Sequence, residues 1–127
     1  MNPPRPADIE IYIAATPATD VLAWLAERFP DHDAPRGAGK RQWKQVLRHE
    51  GATLPVLVIE AASPGFTSVW INSPATPWAD DRECAREAFA RFQCEVRATA
   101  GSWKEDADPD EWWCISGAGE STIIWPG

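Results

Sequence analysis

The stretch that decides the fold reads Ile9-Glu10-Ile11-Tyr12-Ile13-Ala14-Ala15-Thr16-Pro17. Its isoleucines alternate with Glu10 and Tyr12, and this period of two is typical of a strand with one buried face. Thr16 and Pro17 then predict a helix start, because threonine suits the N-cap and proline suits the first helical position. We expect this helix to end at Pro30, and its apolar side consists of Val21, Leu22, Leu25 and Phe29.

The same order of signals recurs in the second half of the chain. A predicted strand at 67–72 precedes Ala75-Thr76-Pro77, so that Thr76 follows Thr16 by 60 positions. Asp80 and Asp81 in the first turn of this second helix suit the positive end of its dipole. A pseudo-duplication, βαββ followed by βαβββ, would explain the recurrence. Coincidence would also explain it, because Thr-Pro helix starts are common.

The region between the two halves gives weaker signals. Residues 31–39 are polar and contain glycine and proline, which predicts a loop. Residues 40–49 fit either a helix or a strand, because Trp43 and Leu47, four apart, share one side in both. We favour a strand, because 49–52 resembles a hairpin turn before a strand at 54–60, whose apolar sequence predicts a central position in the sheet.

The last part of the chain adds a predicted strand at 94–99 and a hairpin formed by 112–116 and 122–125. Together these elements predict an α+β fold, with a mainly antiparallel sheet and two helices packed on one face. Residues 1–7 contain three prolines, and we interpret them as a flexible N-terminal arm. The length of the remainder suits a single domain at 8–127.

The charge of the chain limits its partners. Twelve basic and 19 acidic residues give a net charge of −7. A negative field repels phosphate backbones and anionic lipids, so we expect neither nucleic acid nor a membrane as a partner. Solubility, or binding to a basic partner, is the easier interpretation of this charge. Three cysteines and no secretory signal predict free thiols and a cytoplasmic location.

No catalytic or metal-binding motif stands out. Asp106, Asp108 and Asp110 imitate the start of a calcium-binding loop, but Glu111 and Gly117 occupy the positions that need glycine and glutamate. The cysteines lack Cys-x-x-Cys spacing, and neither a nucleophile elbow nor a phosphate loop is present. We therefore predict no catalytic residue, no metal and no cofactor, and we favour a protein that is not an enzyme.

Tryptophan is the most unusual feature of the composition. Eight tryptophans exceed what the core of a domain this size needs, and tryptophan is frequent at binding hot spots. We expect Trp78, in the first turn of the second helix, and Trp103, in a loop, to be semi-exposed. Trp112 and Trp113 are adjacent in a strand and should point to opposite faces. With the acidic loop, the candidate binding residues are Trp78, Trp103, Trp112, Trp113, Asp106, Asp108 and Asp110.

A basic stretch is the second candidate surface. Residues 36–48 contain five basic residues and no acidic one. This local charge, opposite in sign to the acidic loop, could steer a charged partner onto one side of the domain. A solvated surface is the simpler interpretation and the one we favour. The candidate patch consists of Lys40, Arg41, Lys44 and Arg48.

Three classes of function remain open. We favour a small interaction domain that binds another protein, as an immunity or inhibitor protein does. The alternative is a small-ligand-binding module with a tryptophan-lined groove between the half-repeats. The third class is an enzyme whose site is not visible in one sequence.

Overall fold

A computed structural model describes residues 8–99 and 110–125. The described residues form eight strands and two helices. In chain order these are β1 (Ile9–Ala14), α1 (Ala18–Arg28), β2 (Arg36–Gly39), β3 (Gln42–His49), β4 (Ala52–Ser63), β5 (Phe66–Ile71), α2 (Asp81–Phe92), β6 (Val96–Thr99), β7 (Glu111–Ser116) and β8 (Gly119–Ile124).

The strands form one antiparallel sheet in the order β2-β3-β4-β5-β1-β6-β7-β8. The predicted α+β class with a mainly antiparallel sheet is therefore confirmed. β1 lies in the interior of the sheet between two strands of the second half of the chain, since it pairs with β5 on one side and β6 on the other. The apolar strand β4 is also interior, although it lies third from one edge rather than at the centre.

Both helices pack on the face of the sheet that carries the isoleucines of β1. Ile9, Ile11 and Ile13 are almost completely buried, as the alternation predicts. Helix α1 contacts β3 and β4, and α2 contacts β1, β6 and β7. The buried apolar side chains of both helices belong to one cluster with these isoleucines. Burial of each such aliphatic side chain contributes roughly 1.5–3 kcal/mol before conformational entropy is subtracted.

The stretch from 31 to 49 corrects one expectation and confirms another. Residues 42–49 of the stretch 40–49 are a strand, because β3 pairs with β4 along its whole length. The predicted loop at 31–39, however, contains β2. This strand makes a short pairing with β3, and the register of the pairing shifts between Gly37 and Gly39. β2 is fully exposed at the edge of the sheet. An edge strand without a buried face needs no apolar alternation, so its sequence carries no strand signal.

The predicted start of the second helix at Thr76 is wrong by one turn. α2 begins at Asp81, and the side chain of Asp80 acts as the N-cap by accepting a hydrogen bond from the Glu83 N–H at 3.0 Å. The Thr76 hydroxyl instead donates to the carbonyl oxygen of Trp78 at 3.0 Å. A threonine hydroxyl stabilises turns as well as helix caps, and here it serves a turn before the helix.

Helix α1 does begin close to the predicted position, but its cap differs. Pro17 is the N-cap and has no side-chain oxygen to offer. A carboxylate oxygen of Glu60 on β4 accepts from the Ala18 N–H at 2.8 Å instead. The strand predicted at 94–99 also starts later, because Cys94 lies before the first residue of β6.

The pseudo-duplication is not confirmed. With β2 included, each half of the chain has the order β-α-β-β-β. In the first half the last strand, β4, lies next to the central pair of β5 and β1, whereas in the second half the first of the three, β6, does so. The last three strands of the first half therefore run from the edge of the sheet inward, whereas those of the second half run from the centre outward.

Asp81 closes the sheet where β1 and β6 separate. Among the described residues, the pairing of these two strands ends with Ile11 and Ala98, toward the start of β1 and the end of β6. Here the Asp81 carboxylate accepts from the Thr99 hydroxyl at 2.7 Å and from the backbone N–H of Glu10. The side chain is buried, and burial raises the pKa of Asp81 from its ordinary 3.8 to about 6.

We predict that Asp80→Ala lowers the free energy of unfolding by about 1 kcal/mol, because the Glu83 N–H loses its acceptor. Asp80→Asn keeps an acceptor oxygen and should cost much less. Urea denaturation followed by circular dichroism measures both variants. Equal losses in the two variants would show that the side chain does not act as a cap.

A second prediction concerns pH. Because the folded-state pKa of Asp81 is raised to about 6, the contribution of this group to stability is full below pH 3.8 and is lost as the pH rises through 6. Asp81→Asn removes this loss, so its stability relative to wild type should rise between pH 4 and pH 7 by at least about 1 kcal/mol.

The exposed neighbour provides the matched control for this experiment. Asp80→Asn changes the same functional group one residue away, and we expect no comparable gain from it. Urea denaturation at several pH values gives the free energies of unfolding. Parallel pH profiles of wild type and Asp81→Asn would contradict the prediction.

Candidate functional site

Aromatic side chains gather on the face of the sheet opposite the helices. Tyr12 on β1 makes edge-on contacts with Trp112 on β7 and with Trp125 just after β8, with ring centroids 5.4 and 5.3 Å apart. The centroids of Trp112 and Trp125 are 5.2 Å apart, and that of Phe66 lies 5.0 Å from Trp125. We call the surface formed by Tyr12, Phe66, Arg97, Trp112 and Trp125 the aromatic face.

Curvature of the sheet brings these rings together. Phe66 belongs to β5 and Trp125 follows β8, four strand steps away in the order β5-β1-β6-β7-β8. At about 4.8 Å per step, a flat sheet would separate them by roughly 19 Å. The two rings nevertheless touch, so the sheet curls toward this side. The aromatic face is accordingly concave.

Arg97 occupies the middle of the aromatic face. Its guanidinium carbon lies 4.6 Å from the ring centroid of Phe66 and 4.5 Å from that of Trp125. Its Nε donates to a carboxylate oxygen of Glu95 at 2.7 Å. A guanidinium between two rings is attracted by both ring faces, and each such contact contributes about 0.5–1 kcal/mol where solvent has partial access.

Carboxylates border the aromatic face. Asp8 accepts from the indole N–H of Trp70 at 2.7 Å, and Glu10 accepts from the Tyr12 hydroxyl. Burial, and then the charge and hydrogen bond of Glu10, raises the pKa of Tyr12 to about 12. The Tyr12 hydroxyl therefore stays protonated at neutral pH and remains a hydrogen-bond donor.

The basic stretch lies at the opposite end of the sheet. Lys44 on β3 is exposed and faces Arg36 on β2, while Lys40 and Arg41 are exposed in the turn between these strands. Arg48 differs, because its guanidinium is paired with Asp31 at 3.2 Å and with Asp33 at 2.9 Å. The local charge that the sequence indicates is thus partly neutralised by the preceding loop.

The adjacent tryptophans lie on opposite faces, as the strand alternation predicts. Trp112 joins the aromatic face. Trp113 packs against the core on the helix side, where the guanidinium of Arg82 lies 4.0 Å from its ring centroid and its N–H donates to Glu120 at 2.9 Å. Trp113 therefore stabilises the attachment of α2 to the sheet.

Trp78 corrects another expectation. It lies before α2 rather than in its first turn, and it is only 4% exposed rather than semi-exposed. Its ring packs between those of Trp24 and Phe29, and its N–H donates to Glu87 at 3.3 Å. Nonhelical backbone before α2 turns this ring inward, so Trp78 anchors the core.

Most of the candidate binding residues around the acidic loop cannot be placed in the fold. Trp103, Asp106 and Asp108 lie outside the described residues. Asp110 is half-buried, and its carbonyl oxygen accepts from the Trp125 N–H at 2.7 Å. This bond holds the backbone of Trp125 beside β7 and so places its ring on the aromatic face.

The chemistry available within residues 8–99 and 110–125 is limited. These residues bring no three His, Cys, Asp or Glu side chains together as a metal site. Burial raises the pKa of the Cys84 and Cys114 thiols, which disfavours the reactive thiolate. Of the two helices described there, neither is long and apolar enough to cross a membrane.

One cavity of about 360 Å³ lies beside the β4–β5 turn. Glu60 lines it, but its carboxylate already caps α1. Phe66 is the aromatic residue among the lining side chains, and no tryptophan contributes. This cavity therefore differs from the tryptophan-lined groove considered for a small ligand.

The sequence analysis does not predict most residues of the aromatic face as binding residues. Tyr12 and Phe66 occupy positions that alternate with buried residues, which strand patterns assign to solvent. A possible signal was the residue type, because aromatic and arginine side chains replace small polar ones at these outward positions. The contacts among them follow from sheet curvature, which no local pattern reports.

The geometry of the aromatic face, with its carboxylate border and central arginine, is thus the basis for a functional interpretation. No similarity to a characterised protein adds to it: no protein-family model, curated protein or solved structure matches this chain.

Proposed function

We propose that this chain is a non-catalytic interaction domain that binds another protein through the aromatic face. One observation carries the proposal: tyrosine, tryptophan and arginine gather on the side of the sheet that neither helix covers. These are the residue types that dominate the energy of protein interfaces. An immunity or inhibitor protein, which blocks the activity of its partner by covering it, is a concrete form of this function.

The charges on the same side of the sheet favour one kind of partner. Asp8, Glu10 and Glu95 border the aromatic face, whereas Arg36 and Lys44 lie at the far end of the sheet. Opposite charges at two ends of a surface fix the orientation of a partner and raise the rate of association. With a net charge of −7, the fitting partner is a protein with a basic region that meets the aromatic face.

The side chains between these two ends extend the surface. Leu57 on β4 lies opposite Lys44 on β3 and Trp70 on β5, so it faces the same side of the sheet. It is only half-buried, as is the aliphatic Ile59 two residues further on. Such a surface, with aromatic anchors and an aliphatic continuation, suits a partner protein better than a small molecule.

A small-ligand-binding module is the second candidate function. The cavity of about 360 Å³ beside Phe66 favours it, since the volume falls in the range of small-molecule sites. Its lining offers few polar groups for recognition, because Glu60 already binds the helix end. The interaction domain remains the better supported proposal.

Site-specific photo-crosslinking in native cells tests the proposal. A photoreactive phenylalanine analogue at Leu57 should give a discrete crosslinked protein, because this position lies on the proposed binding side. Ala23, exposed on α1 at the other side of the molecule, is the control position. Equal crosslinking patterns from the two positions, or none from Leu57, would refute the proposal.

With the crosslinked protein purified, matched arginine variants test the aromatic face itself. Arg97→Ala should weaken binding at least about tenfold, since truncation of a hot-spot residue costs about 2 kcal/mol or more. Arg82→Ala is the control, because Arg82 also lies over a tryptophan, but on the helix side. Isothermal titration calorimetry measures both affinities, and circular dichroism verifies the fold. Equal effects of the two substitutions would contradict a role for the aromatic face.

A further inference from the structure

The two edges of the sheet differ in their protection against pairing. β2 has four residues, two of them glycine, and makes an irregular pairing with β3. Arg36 begins it, and Lys40 and Arg41 follow it. Short length, irregular pairing and basic side chains are the devices by which natural sheets prevent addition of a further strand. β2 is a protected edge.

β8, at the other edge, has none of these devices. It spans six residues and contains no lysine, arginine or proline. Its single charge, Glu120, is paired with Arg86 at 3.1 Å, so the strand is locally close to neutral despite the net charge of the chain. Thr122, Ile123 and Ile124 are β-branched, which suits an extended strand.

The backbone of β8 offers a row of bonding groups to the outside. The Trp125 N–H bonds to Asp110 across the β7–β8 pair. Because bonding direction alternates along an antiparallel strand, odd-numbered residues of β8 face β7 and even-numbered residues face outward. The N–H and C=O groups of Glu120, Thr122 and Ile124 therefore point away from the sheet.

Ile124 adds an apolar contribution at the same edge. Its side chain is 62% exposed, the one large hydrophobic residue of the described chain with this degree of exposure. It lies on the helix side of the sheet, because Thr122, two residues earlier, is opposite Trp113. An exposed β-branched side chain beside unpaired backbone groups is typical of an edge that accepts another strand.

We propose that β8 pairs antiparallel with β8 of a second copy of this chain. In the fitting register, Thr122 faces Ile124 of the second copy and Ile123 faces its own equivalent. Both Thr122–Ile124 pairs then exchange backbone hydrogen bonds, since these residues point outward in each copy. Ile124 becomes covered, and the two sheets continue into one.

A closed dimer of two copies fits the β8 edge better than a filament of many copies would. Pairing of β8 with the β2 edge of another copy would leave new edges free and build a filament. The glycines and basic residues of β2 oppose that arrangement. Pairing of β8 with itself uses the same groups on both copies, so it closes as a two-fold dimer.

Sedimentation velocity over a range of concentrations tests the dimer. Wild type should shift from monomer to dimer as concentration rises, whereas Ile124→Lys should remain monomeric, because lysine protects an edge. Thr19→Lys adds the same charge at an exposed position of α1 and should dimerise as wild type does. Circular dichroism verifies that both variants are folded.

A cysteine variant tests the register. Ile123→Cys should form a disulfide between copies on oxidation, because Cα atoms of a directly opposed pair lie about 4.5–5.5 Å apart. Thr19→Cys, at an exposed position of α1, should not, and wild type accounts for the native cysteines. A monomeric wild type at all concentrations, a dimer that persists in Ile124→Lys, or equal crosslinking at both positions would overturn the proposal.

Discussion

The alternation of side chains along β1 is the constraint on which both layers of the molecule depend. Because successive residues of a strand point to opposite faces, the burial of Ile11 under the helices places Tyr12 on the other side. Pairing with β5 and β6 then fixes β1 between two strands of the second half of the chain. A slip of one residue would exchange the core and the aromatic face, so one register specifies both.

Several carboxylates of this acidic chain have structural partners, which changes the meaning of its charge. Glu60 caps α1 and Asp80 caps α2. Glu87 binds both Arg28 and the indole of Trp78, and so joins the two helices. Part of the negative charge of the chain therefore stabilises the fold itself.

The sequence predicts those features that depend on neighbours in the chain. The strand β1 and the opposite directions of Trp112 and Trp113 follow from local alternation, and the strand at 42–49 follows from the turn signal at 49–52. All are present. The sequence does not predict β2, because an exposed edge strand needs no apolar pattern. It predicts the start of α2 one turn too early, because a threonine hydroxyl also stabilises turns. The aromatic face was not predictable, since Phe66 and Trp125 meet only through the curl of the sheet.

The aromatic face and the β8 edge are compatible as two binding surfaces. A two-fold axis that relates antiparallel edge strands stands perpendicular to the sheet, so it leaves each face on the same side. A dimer through β8 would thus present two aromatic faces in one direction and both helix pairs in the other. Since the outward groups of β8 point away from β7, pairing there leaves the Tyr12 side of the sheet open. Such a dimer would bind a repeated or dimeric partner more tightly than either copy alone, because the second contact becomes intramolecular.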